Sequence, residues 1–111
     1  MAAALVASLA VDTDASHTHT YLVEHYWPDA TADAFRDAAD RLRAAAQAMA
    51  LASQPIHFLH STLVLEDENA FCVFSAASSS LVAEAYRRAD VPFERIVDAL
   101  ELDSPNQGGA P

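Results

Sequence analysis

The sequence predicts an α+β sandwich: one four-stranded antiparallel sheet with two helices on one of its faces. Three observations carry that prediction. Short alternating apolar stretches occur four times, helical periodicities follow the first and the third of them, and a compact acidic turn joins the second to the third. The order β-α-β-β-α-β on one sheet requires two right-handed crossovers, which is the ferredoxin-like arrangement.

Thr20 to Trp27 alternates as a strand does, with Tyr21, Val23, His25 and Trp27 on one face and Leu22, Glu24 and Tyr26 on the other. Pro28 stops it. Asp29 or Thr31 can cap the helix that follows, in which Phe35, Ala38, Ala39, Leu42, Ala45, Ala46 and Met49 recur at helical spacing. The opposite side of that helix carries Asp33, Arg36, Asp37, Asp40, Arg41 and Arg43, spaced for ion pairs three and four residues apart. It ends near Ser53 and Pro55. Ile56 to Leu65 reads as the second strand, Glu66 to Asn69 as a tight turn, and Phe71 to Ala76 as the third strand. Ser78 is a natural N-cap for a helix through about Ala89, closed by Asp90 and Pro92, and Arg95 to Leu102 supplies the last strand.

The chain has 111 residues, which suits one domain. Residues 19–102 are expected to form it, with residues 1–18 a flexible extension and 103–111 a disordered tail that holds both glycines and two prolines. The apolar opening MAAALVASLA lacks a preceding Lys or Arg and is too short to span a bilayer. Hydrophobic residues make up 52%, well above what a disordered chain carries. The formal charge is −10 and all six basic residues are arginines, so neither nucleic acid nor an anionic membrane is an expected partner. One cysteine, Cys72, leaves no intrachain disulfide and no multi-cysteine zinc motif, and a cytoplasmic setting is expected.

Helices on one face leave the other face of the sheet to be explained. The second strand presents Ile56, Phe58 and Val64 one way and Leu59, Leu63 and Leu65 the other, and the third presents Phe71 and Val73 against Cys72 and Phe74. Apolar surface on both sides with a helical cover on only one calls for a second cover, most simply the same face of another copy. A homodimer packed through its sheets is expected.

The residues able to do chemistry are mostly imidazoles. His17 and His19 alternate onto one side of the lead-in, a spacing that can hold a transition metal or can simply be solvated. His25 shares a face with Val23 and Trp27, where a histidine is more often than not half-buried with one nitrogen hydrogen-bonded. His57 and His60, three apart on a strand, fall on opposite faces unless a bulge intervenes or a second subunit contributes. Glu24 sits in an internal strand, where a carboxylate needs a partner such as Arg95 or a ligand. Cys72 lies mid-strand between aromatics, as a buried thiol does. Ser78 to Ser80 read as a helix start rather than part of a triad, and the absence of glycine before Gly108 excludes a glycine-rich phosphate cradle.

YLVEHYWP with its long Ala/Arg helix, then HFLHSTLV, FCVFSAASS and AYRRADVPFERIVDAL, resembles a family of small bacterial ferredoxin-like proteins, a domain of unknown function that includes a nickel-binding protein. The likeness runs from about Tyr21 to Leu102 and is most specific around Phe71 to Ser75 and Arg87 to Val97. It implies the same fold, a dimer, and a nickel site drawn from histidines and carboxylates of the first strand, the helices and the second strand. His57 matches one such histidine, and Glu24 or His25 can serve from the first strand. This chain departs from the family pattern at Ala39 and Tyr86, where histidine is common, at Ser75 for glutamate, Ala77 for proline and Asp90 for glycine. The first three departures thin the ligand set.

The expected function is therefore a non-enzymatic, cytoplasmic, homodimeric binding protein for nickel or another divalent transition metal, using Glu24, His25, His57 and His60. The alternatives are a dimeric α+β barrel that binds a small organic molecule or acts as a cofactor-free oxygenase or isomerase, with Glu24, Tyr26, His60 and Ser75 lining its pocket, and a ligand-free interaction module.

Overall fold

The computed structural model describes residues 18–102; the expected extension and tail otherwise lie outside the described residues. Six elements follow in the expected order: β1 (His19–Tyr26), α1 (Ala32–Leu51), β2 (Ile56–Val64), β3 (Asn69–Ala76), α2 (Ser79–Ala89) and β4 (Arg95–Ala99). The strands form one sheet in the order β2-β3-β1-β4 with every neighbouring pair antiparallel. This is the ferredoxin-like α+β fold, with β1 internal as expected.

Local chemistry explains where the elements begin and end. Thr31, in extended geometry, is the N-cap of α1, its hydroxyl accepting from the Ala34 amide at 3.1 Å, and Ser78 does the same for α2 through Leu81. Asp90 ends α2 in the left-handed region at φ 57°, a conformation that glycine would enter without the Cβ penalty. The carbonyl of Ala89 at that end receives a 2.7 Å hydrogen bond from Arg41 of α1, which ties the two helices together. Glu84 braces the same helix through Arg87 and Arg88, which hold its carboxyl down to about 2.

The core lies between the sheet and the helices. Val23, Cys72 and Phe74 from the strands meet Leu42 and Met49 of α1 and Val82 and Tyr86 of α2, all fully buried. Phe74 stands edge-on to Phe58 and near Tyr86, with ring centroids 5.2 and 5.7 Å away, an aromatic cluster at the centre of the domain.

Most boundaries shift by only a residue or two from the sequence expectation, and two of the differences have a clear physical reason. The β2–β3 turn is centred on Leu65 to Glu68 and not on Glu66 to Asn69, because Glu68 adopts positive φ and Asn69 already pairs with Val64. More consequentially, β4 stops at Ala99 instead of Leu102. Its partner β1 begins at His19, and Ala99 pairs with Thr20, so residues beyond Ala99 have almost no strand left to bond.

The face composition of β2 is also corrected. A β-bulge falls between Phe58 and His60, with Phe58 opposite Phe74 and His60 opposite Val73, so Leu59 is the unpaired extra residue. Beyond the bulge every side chain changes sides. Ser61 and Leu63 now join Ile56 and Phe58 toward the helices, and Thr62 and Val64 turn to the open face. Leu63 accordingly packs against the core.

Candidate functional site

The bulge decides which imidazoles meet. His57 is opposite Ser75 and His60 is opposite Val73, two positions on either side of the helix-facing Phe74. Strict alternation would separate the two histidines; the extra residue at Leu59 brings both to the open face of the sheet, on the edge strand β2. His60 Nε2 lies 2.8 Å from Glu101 Oε2, with both side chains about half exposed. Glu101 belongs to the short arm that leaves β4, so the arm runs from one edge of the sheet toward the other across the open face.

Glu24 also faces the open side, but its charge is already matched. Arg95, directly opposite on β4, donates from Nε and the terminal Nη2 to the two carboxylate oxygens at 3.0 and 3.1 Å, a bidentate pair that raises the arginine's own pKa. This is the salt bridge expected as one answer to a carboxylate on an internal strand. His57 and His60 stand two strands away from it, on the order of 10 Å across the sheet at ordinary strand spacing.

His25 is on the other face. Only 4% exposed, it places Nδ1 2.9 Å from the Ala70 carbonyl and Nε2 2.8 Å from the Tyr86 hydroxyl. The carbonyl can only accept, so Nδ1 carries the proton, and Nε2 of the neutral ring then accepts from Tyr86. Burial pushes the His25 pKa down, against the opposing influence of the Ala70 hydrogen bond and the Glu94 charge, and so keeps the ring neutral. Burial likewise raises Tyr86 and lifts Cys72 to about 11. With both nitrogens engaged inside the core, His25 is a packing and hydrogen-bonding residue in this arrangement.

The four residues expected to bind metal are thus divided: His57 and His60 share a face and a strand, Glu24 shares the face but is paired with Arg95, and His25 lies behind the sheet. Among the described residues, no three His, Cys, Asp or Glu side chains converge as a metal-binding group. The donor set nevertheless suits a divalent transition metal, since two imidazoles and a carboxylate stand on one accessible face. His19 begins β1 on the helix-facing side, and His17 lies outside the described residues.

The alternative pocket of Glu24, Tyr26, His60 and Ser75 is spread along the open face across three strands. Ser75 donates to Thr18 Oγ1 at 2.8 Å, and Glu24 and Tyr26 border a depression of 110 Å³ that neither Ser75 nor His60 lines. Pockets for organic ligands are commonly about 300 Å³ or more. Glu101 is the residue that sequence reasoning missed, because it was placed inside a strand; the limited length of β1 was the available signal that β4 must end before it.

No helix among the described residues is long and apolar enough to cross a membrane. Comparison with known proteins adds the family. A family model of nickel responsive proteins, SCO4226-like, matches residues 21–98. The crystal structure of SCO4226 from Streptomyces coelicolor A3(2) superposes with a TM-score of 0.64 at 16% identity, over 77% of this chain and 99% of that one, a likeness of fold. No curated protein sequence matches. By the extent of the family match, the chain belongs to the SCO4226-like family of nickel responsive proteins.

Proposed function

We propose that this chain is a non-enzymatic, homodimeric, cytoplasmic protein that binds nickel or a similar divalent transition metal on the open face of its sheet, through His57 and His60. The observation that carries the reading is the bulge at Leu59, which gathers two imidazoles on one accessible face in a member of a nickel-responsive family. Imidazole nitrogen is a favoured ligand for this class of ion. Two imidazoles alone leave coordination positions open, and a second copy packed on the same face would bring two more. Leu22, Phe71 and Val97 on that face are only half-buried, and Leu100 and Leu102 beside it are more than 80% exposed, so pairing would also remove apolar surface from water.

Calorimetric titration with nickel, together with sedimentation equilibrium, tests both parts. Saturating metal should raise thermal stability, by about 2.7 kcal/mol at a hundred times the dissociation constant. The His57→Ala/His60→Ala double variant should lose that gain. No heat and no thermal shift at millimolar nickel would remove the metal reading, and a chain that sediments as a single copy would remove the dimer.

A further inference from the structure

We infer that Glu101 is a metal ligand carried on the C-terminal arm, delivered to His60, and that metal binding fastens the arm across the open face. The inference rests on the metal reading above and adds a ligand and a consequence to it. Two donor atoms bound cis to one ion at about 2.1 Å, and at right angles to each other, lie about 3 Å apart. His60 Nε2 and Glu101 Oε2 are 2.8 Å apart. The pair already has the separation that a square-planar or octahedral ion requires of adjacent ligands. To aim both lone pairs at a common ion, each donor must point about 45° away from the line that joins the two atoms, a turn that exposed side chains can make.

The surroundings favour this role over a purely structural one. An imidazole and a carboxylate this exposed form a weak tie in water. Among the described residues the arm has no apolar anchor to help, because Leu100 and Leu102 on either side of Glu101 are 81% and 82% exposed. A carboxylate that approaches His60 on so lightly held a segment is well placed to close on an ion and to release it. His57, which precedes the bulge and shares the open face with His60, is the nearest further imidazole along β2. Glu101 lies beyond residue 98, where the family match ends.

Nickel titration of the full chain, alongside Glu101→Gln and His60→Ala, tests the inference, with amide hydrogen exchange of residues 97–102 followed in each. Both residues are exposed, so both variants should fold. Glu101→Gln should weaken nickel binding at least about tenfold. Because the two residues act on one ion, the double variant should be little worse than either single one. In the unaltered chain nickel should slow exchange in the arm, and in Glu101→Gln it should not. If Glu101→Gln binds as tightly as the unaltered chain, or the arm exchanges at the same rate with and without metal, the inference is overturned while the metal reading stands. If the unaltered chain binds no nickel, both fall.

Discussion

On the helix side of the sheet His25 is nearly inaccessible, both its nitrogens are hydrogen-bonded, and burial favours the neutral forms of the ring and of its partner Tyr86. On the open side His60 is half exposed and meets a carboxylate on an arm whose described leucines, Leu100 and Leu102, are exposed. The same side chain, on the opposite face of one sheet, answers to different physics. Where water is excluded, an imidazole must be satisfied by fixed partners and becomes part of the fold. Where water remains, its partners are exchangeable, and an ion can compete for them. The number of histidines in the sequence therefore says less about metal binding than which side of the sheet each one takes.

The largest expected effect tests whether the two faces differ in packing as well as in polarity. Phe74 on the helix side is fully buried between Phe58 and Tyr86, so Phe74→Ala should cost about 3–5 kcal/mol. Phe71, three residues earlier on the open side, is only half-buried, and Phe71→Ala should cost about 1 kcal/mol in a single copy. Urea unfolding of both variants at several protein concentrations measures the contrast. Equal losses that grow with concentration would mean that the open face is as well covered in solution as the other, which is what sheet-to-sheet pairing requires.

A smaller effect comes from pH. The folded chain holds His25 below its ordinary pKa of 6.5, whereas the unfolded chain leaves it there. As pH falls through 6.5 the unfolded state takes up the proton first. Stability is therefore full above that value and declines below it toward the folded pKa. Carboxylates titrate mainly at lower pH, so unfolding midpoints between pH 7.5 and 5.5 isolate histidine. The midpoint should fall across this window in the unaltered chain and fall less in His25→Gln. The same slope in both would sink the assignment of His25 as a neutral, buried group.

Much of the fold was legible because its signals are local and redundant. The caps at Thr31 and Ser78, the ion pairs along α1 and the alternation of β1 each depend on residues close in sequence. The Glu24–Arg95 pair was also within reach, since a carboxylate on an internal strand needs a cation and the sheet order puts Arg95 next to it. The site was less legible. Nothing in IHFLHST marks Leu59 as a bulge, for no glycine or proline interrupts the run, and one unpaired residue reverses every side chain after it. Tyr86 as the partner of His25 lies 61 residues away, on a helix whose rotation about its axis is set by packing. The end of β4 depends on where β1 begins, a fact about pairing that no window along the last strand contains.

The smallest expected effect is the sharpest test of the contrast. His60 is exposed, its partner Glu101 is exposed, and an ion pair between such groups contributes little to folding. His60→Ala in the absence of metal should therefore change stability by less than about 0.5 kcal/mol, within the usual range for surface substitutions. Chemical unfolding at pH 7.5 in the presence of a chelator gives that number directly. A loss of 2 kcal/mol or more, about the scale of a buried group left without its partner, would show that His60 is held in the fold as firmly as His25. The arm would then be a structural element of the open face. A near-zero loss leaves the imidazole free of any structural duty and concentrates what it does at the surface, where nickel affinity and not stability should respond to its removal.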